Sequence, residues 1–242
     1  MSAPRGGALW TPASISGLKL WLDFGDPDYL FTDAGTTKVS ADGDAIYQAN
    51  DKSGNGYHAV QSTSSYRPAY KTAIKNGLST AYFDGTDRNM LVSGFNSIMQ
   101  AVPWTLFVVY MTSDKTRSQN IFGVKAAIYY GHGLSIYNSN LVLLSKAASG
   151  ISMTAAAFDN STWGLVTGRV SNGDSAMYKN SASATTSTAS SSTQAGSCYV
   201  GSAGTTFDYL GYLAELIHYD SSLSDANRNA VETYLNNKWA IY

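Results

Sequence analysis

The chain has 242 residues, 44% of them hydrophobic and only 14% charged, and its 16 basic and 17 acidic residues leave a net charge of −1. That balance removes the electrostatic footprint needed to bind nucleic acid or an anionic membrane, and no apolar run is long enough to span a bilayer. Ser, Thr, Asn, Gly and Tyr must therefore cover most of the outside, a surface suited to sugars or to another protein subunit. The lone Cys198 has no partner for an intrachain disulfide and sits in the strand-like run Ser197–Gly201, which reads as a buried, inert thiol.

In chain order, residues 1–9 read as a flexible arm of small residues around Pro4, and residues 10–242 as a single domain beginning at Trp10. Met1–Ala8 contains no apolar segment of the kind found in a secretory signal. The run Leu18–Phe24 alternates, with Leu18, Leu20 and Leu22 on one face and Lys19, Trp21 and Asp23 on the other, as in a strand with one amphipathic face. From Gly25 to Gly56, glycines and aspartates predict loops with short edge strands. Further strands are predicted at Ala81–Phe83, Thr105–Thr112, Asn120–Val124, Leu134–Tyr137, Leu141–Leu144, Trp163–Val170, Ser175–Lys179, Cys198–Gly201 and Tyr212–Tyr219. Ser181–Gly196 is almost entirely Ser, Thr and Ala, and reads as a solvated connector in preference to a polar strand. One helix closes the chain, with Ser224 as its N-cap, Asp225 at the positive end of its dipole, and Ala230, Val231, Tyr234, Leu235 and Trp239 as its apolar stripe. Many short strands without alternating long helices predict an all-β, two-sheet antiparallel sandwich.

Several motifs occur in a recognisable order. Ser16–Asp23 is followed by Asp51-Lys52-Ser53-Gly54-Asn55-Gly56, then Arg67-Pro68, then Phe83-Asp84-Gly85-Thr86-Asp87. At the far end stand Leu213–Asp220, Leu223–Ala226 and Val231–Trp239. This succession resembles the laminin-G-like branch of the concanavalin A-like lectin/glucanase jelly rolls, from about Ser16 to Trp239. The resemblance implies two curved antiparallel sheets with one C-terminal helix. Its concave face or edge loops would contact glycans or proteins. Such domains serve lectins, enzymes, adhesion modules and virion parts, so the fold alone assigns no activity. The resemblance to tailed-bacteriophage structural proteins, together with the absence of a signal, leads to the expectation of a non-enzymatic virion protein. It would be a capsid decoration or a tail or fibre appendage, made in the host cytoplasm, with other virion proteins or its own copies as partners and cell-surface glycans as targets. The alternative is a secreted bacterial carbohydrate-binding module or lectin, and a polysaccharide-degrading enzyme is a third reading.

The residues that could carry chemistry are few. A retaining glycanase needs a nucleophile and a general acid about 5–5.5 Å apart, but the chain has only Glu215, in a strand with Leu213 and Ile217 as same-face neighbours, and Glu232, on the terminal helix. Glu215 is expected to be structural, bonded to nearby loop backbone. His132, between Gly131 and Gly133, is expected in an exposed loop. Asp23, Asp26 and Asp28, or Asp84 with Asp87, offer hard oxygen ligands of the kind calcium takes, but they lack a calcium-loop signature, and no metal ligand is assigned. With 17 Tyr and 5 Trp, aromatic stacking is the means by which so neutral a chain would hold a sugar. The glycan-contact candidates are Trp21, Tyr129, Tyr130, His132 and Tyr137, while core packing is the reading favoured for each Trp in a strand or in the helix.

Overall fold

The computed structural model describes residues 10–127, 130–146, 150–193, 195–202 and 207–242, with the backbone alone at 125–127, 130, 131 and 146. The arm expected over residues 1–9 lies outside them, as does Tyr129. The strands are β1 (Leu18–Asp23), β2 (Leu30–Phe31), β3 (Gln48–Ala49), β4 (Ala59–Val60), β5 (Ala69–Lys75), β6 (Leu78–Asp84), β7 (Met90–Val92), β8 (Trp104–Thr112) and β9 (Gln119–Ala127). They continue as β10 (Tyr130–Tyr137), β11 (Asn140–Lys146), β12 (Gly150–Ala156), β13 (Trp163–Val170), β14 (Ser175–Lys179), β15 (Ala182–Ser187), β16 (Cys198–Val200) and β17 (Leu210–Tyr219). A short helix α1 (Asn96–Gln100) precedes β8, and α2 (Asp225–Trp239) ends the chain.

The strands form two antiparallel sheets, giving the two-sheet jelly-roll sandwich with a C-terminal helix. The first runs β15-β14-β13-β8-β17-β6-β5, with β1 also paired to β17, and the second runs β12-β11-β10-β9-β16-β7-β4-β3-β2. Alternation along each strand sends every second side chain inward. Leu22, Phe83, Val108 and Leu216 thus meet Phe122, Leu134, Leu143 and Val200 in the main core, and Cys198 is buried among them as a free thiol.

A second apolar cluster lies on the outer face of the first sheet, where α2 packs down. Val231, Leu235 and Trp239 of the helix meet Trp21, Phe107, Val109, Leu165 and Ile217. Fully burying side chains of this size contributes about 1.5–3 kcal/mol each. The helix starts where Ser224 accepts the Asn227 backbone N–H at 3.3 Å and ends at Ala240, whose φ of 49° is left-handed. This cover is the reason β1 is buried on both faces instead of one: Leu20 and Leu22 point into the sandwich, and Trp21 points under the helix.

The turn motifs knit the fold together. Asp51 accepts hydrogen bonds from the backbone N–H groups of Trp21, Ser53 and Tyr57, and Asn55 donates to the carbonyl of Leu18, tying this loop to β1. Asp84 accepts from the backbone and hydroxyl of Thr86, an Asx turn that reverses the chain after β6.

The structure departs from the sequence reading in the Ser181–Gly196 segment and at His132, among other places. Six residues of the Ser/Thr/Ala segment expected to be a connector form the edge strand β15, reached by a tight turn with left-handed Asn180 (φ 48°) and Ser181 (φ 65°). His132 is in β10 and 1% exposed, not in an open loop. Its glycine neighbours mark a close strand approach. Gly123 (φ 149°) faces Gly133 (φ 134°), and a Cβ on either would come within 2.0 or 2.1 Å of a backbone carbonyl oxygen across the ladder.

Candidate functional site

The outer face of the first sheet is covered by α2 over only part of its extent. Beyond the helix, one row of side chains crosses four strands in register: Trp163 on β13 pairs with Met111 on β8, Met111 with Tyr212 on β17, and Tyr212 with Tyr82 on β6. Each is half-buried, and their outward direction follows from strand parity, since Tyr110, Leu213, Phe83 and Val166 on the same strands point into the main core. The ring centroids of Trp163 and Tyr212 are 6.4 Å apart, and those of Tyr212 and Tyr82 4.8 Å apart. Burial, and then the neighbouring Tyr212, push the Tyr82 phenol above its ordinary pKa, so its hydroxyl is neutral at physiological pH. The row is a strip of partly exposed aromatic surface with a thioether set in it. Such a strip can offer ring faces and phenolic hydroxyls to a flat, amphipathic ligand.

The carboxylates are placed quite differently. Glu215 and Asp23 are 0% and 1% exposed, and both accept from the Lys238 ammonium, at 2.7 and 2.6 Å. Glu215 also accepts the indole N–H of Trp21 and that of Trp239, each at 2.7 Å. Lys52 bridges Asp23 and Asp26, at 2.8 Å to each. A β-bulge between Leu213 and Glu215 interrupts the alternation: Leu213 enters the main core while Glu215 turns under the helix. Glu215 therefore does not share a face with Leu213, and its partners are side chains of β1 and α2, not loop backbone. Burial, and then the negative charge of Asp23, push its carboxyl above the ordinary range, against the pull of Lys238 and Trp239. Burial acts to lower the Lys52 pKa, but Asp23 and Asp26 outweigh it and hold the ammonium above its usual value. Glu232, 1% exposed, accepts from Arg228 at 2.6 Å, Thr167 at 2.7 Å and Ser181 at 2.8 Å. These acids fix the helix to the sheet and are sealed from any sugar.

The aspartates considered for calcium do not fit the ion. Lys52 lies between Asp23 and Asp26, Lys38 pairs with Asp28 at 2.7 Å, and Arg88 pairs with Asp84 at 2.7 Å. Among the described residues no three His, Cys, Asp or Glu side chains gather as a metal site.

Of the residues singled out for glycan contact, Trp21 and His132 do not lie on an open face. Trp21 is 6% exposed, with its ring beneath α2 and its N–H donated to Glu215. His132 bonds through Nδ1 to Ser145 Oγ at 2.9 Å inside the sandwich. Both are corrections to the sequence reading: α2 closes over Trp21, and the pairing of glycines across β9 and β10 takes His132 into a strand. Tyr137 is half-buried at the end of β10. Tyr129, and the side chain of Tyr130, lie outside the described residues. The aromatic row was missed because each member looks like an ordinary strand residue. The available signal was parity, since Tyr82 alternates with Ala81 and Phe83, and Tyr212 with Leu213.

A shallow groove of about 740 Å³ also runs along the outer side of α2, lined by Trp10, Ala230, Thr233, Tyr234 and Lys238.

No protein-family model and no curated protein sequence matches the chain. Solved structures match it as folds. Domain 4 of AbnA, an extracellular arabinanase from Geobacillus stearothermophilus, in complex with arabinotriose, aligns at a TM-score of 0.55 and 14% identity over 89% of this chain and 98% of that one. The botulinum neurotoxin serotype D binding domain aligns at 0.60 and 14% identity over 90% of this chain, and Trypanosoma rangeli sialidase in complex with the inhibitor DANA at 0.57 and 13% over 95%. This chain spans 52% and 35% of those two longer chains. At such identities the likeness establishes the β-sandwich. It does not single out the laminin-G-like branch or a phage lineage.

Proposed function

We propose that the chain is a non-catalytic glycan-binding module whose binding face is the row Trp163, Met111, Tyr212 and Tyr82. The observation that carries the reading is this in-register aromatic row on the uncovered part of a sheet face that α2 otherwise closes. Neighbours of the fold are described with arabinotriose and with ganglioside molecules, in keeping with a sandwich used to hold sugars. The absence of catalysis is inferred from the sealing of Glu215, Asp23 and Glu232. On a glycan array, the wild-type chain should bind a restricted set of glycans, and Tyr212→Ala should lower that affinity at least tenfold, as expected when a stacked ring worth about 1.4 kcal/mol is removed, with its circular dichroism unchanged. An array without hits, or binding indifferent to Tyr212, would sink the reading. Release of reducing sugar from a bound polysaccharide would show the module to be catalytic.

The virion role is proposed alongside, as a capsid decoration or a tail or fibre appendage, with the secreted lectin as its alternative. Its support is the sequence resemblance and the sparsely charged, hydroxyl-rich composition. Mass spectrometry of purified particles tests it: a fixed copy number per virion is expected, and recovery in the culture medium with absence from particles assigns the alternative.

A further inference from the structure

We infer that the aromatic face takes a neutral, unbranched glycan laid across the strands, with about three sugar units in contact; this rests on the glycan-binding reading above. The direction follows from register. The rings come from β13, β17 and β6, so their row runs perpendicular to the strands. Neighbouring strands stand about 4.8 Å apart, close to the advance of one pyranose unit in an extended chain. Met111 of β8 stands between Trp163 and Tyr212, and the ring centroids are 6.4 and 4.8 Å apart with their planes tilted by 49° and 45°, so an extended chain crossing the row meets each ring through a different sugar.

The charge preference follows from the ion pairs at the Tyr82 end. Lys71 is held by Asp42 at 2.8 Å and Arg88 by Asp84 at 2.7 Å, and Arg117 donates to the Gly85 carbonyl at 2.6 Å. A carboxylated sugar gains most from a cation free to make a charge-assisted bond. At Lys71 and Arg88 it would have to displace an aspartate already in place. A neutral sugar meets rings, the Met111 thioether and phenolic hydroxyls at no such cost. The strip is also one ring wide. Leu165 and Val109, two residues along the strands from Trp163 and Met111, belong to the cluster beneath α2 on one side, and Asp84, two residues along from Tyr82, stands paired with Arg88 on the other, which crowds branches.

The test sorts array hits by charge and branching, then titrates the full chain calorimetrically with linear β-1,4-linked xylo- and cello-oligosaccharides of one to six units and with oligogalacturonides of the same lengths. Neutral linear hits are expected, with affinity rising up to about tenfold per added unit to the third and then levelling, as about 0.5–1.5 kcal/mol per stacked ring implies. Trp163→Ala should move the plateau to two units. Hits dominated by acidic or branched glycans, a monosaccharide bound as tightly as a trimer, or an array whose neutral linear hits exclude both titrated series and show no length dependence, would overturn this inference while leaving glycan binding in place. An empty array would overturn both.

Discussion

Replacing Glu215 with Ala is expected to lower the free energy of unfolding by about 3–5 kcal/mol, the range for breaking a buried charge pair by removing one partner. The site explains so large an effect. Glu215 is 0% exposed and accepts from the Trp21 and Trp239 indoles and the Lys238 ammonium, all at 2.7 Å, with the Tyr234 hydroxyl at 3.4 Å. Trp21 belongs to β1, Trp239 and Lys238 to α2, and Glu215 itself to β17. One carboxylate thus holds three elements in place. Without it, two buried indole N–H groups lose their acceptor, and Asp23 must carry Lys238 alone. Glu215→Gln keeps the shape and one acceptor oxygen, and should cost less than Glu215→Ala. Pairing Glu215→Leu with Lys238→Met, which removes both charges, should recover part of the loss. Urea unfolding of the four proteins measures this. A loss below about 1 kcal/mol for Glu215→Ala, in the range of an exposed pair, would show that the helix is held by its apolar stripe alone.

The reason Glu215 reads so poorly from sequence also explains what else was legible. The terminal helix is a local object. Its cap, its acidic first turn and its three- and four-residue period lie within 16 residues, and Ser224 to Trp239 falls where the pattern puts it. Strands such as Trp163–Val170 and Ser175–Lys179 match their predicted bounds because alternation and flanking turns are local as well. The partners of Glu215 are separated from it by 194 residues at Trp21 and 24 at Trp239, and no local pattern carries such a pairing. The aromatic row is a product of topology in the same sense. Trp163, Met111, Tyr212 and Tyr82 become neighbours only because β13, β8, β17 and β6 lie side by side, in an order that the chain does not follow. Trp21, by contrast, looked available to a sugar because alternation separates the two faces of a strand but does not reveal that a helix, some 200 residues later in the chain, closes over the second one.

Lowering the pH from 7 to 5 is expected to destabilise the fold by about 2 kcal/mol for each of two buried histidines. His218 is 0% exposed, wedged between Phe95 and Trp104, and neither ring nitrogen has a hydrogen-bond partner among the described residues. Burial, with the nearby charge of Lys19, lowers its pKa from 6.5 to about 3. Burial lowers that of His132 to about 4, against the Ser192 backbone, which acts to raise it. Both pKa values are depressed on folding, so between pH 6.5 and these values the unfolded chain binds more protons than the folded one. The stabilising contribution is complete above pH 6.5 and is lost as the pH falls towards 4 and 3, at about 1.4 kcal/mol per pH unit for each group. Glu215 works the other way, since its raised carboxyl favours the fold more at low pH, and the observed slope is the two histidines less this opposing contribution. The lowered carboxyls of Asp33, Asp44 and Asp114 join only at still lower pH. Urea midpoints at pH 7, 6 and 5 should fall progressively for the wild type, and His218→Phe, which leaves a ring in the aromatic pocket without a titratable nitrogen, should remove about half of the histidine contribution. A midpoint for His218→Phe that follows the wild-type curve with unchanged slope would mean that His218 does not control the acid sensitivity of this sandwich.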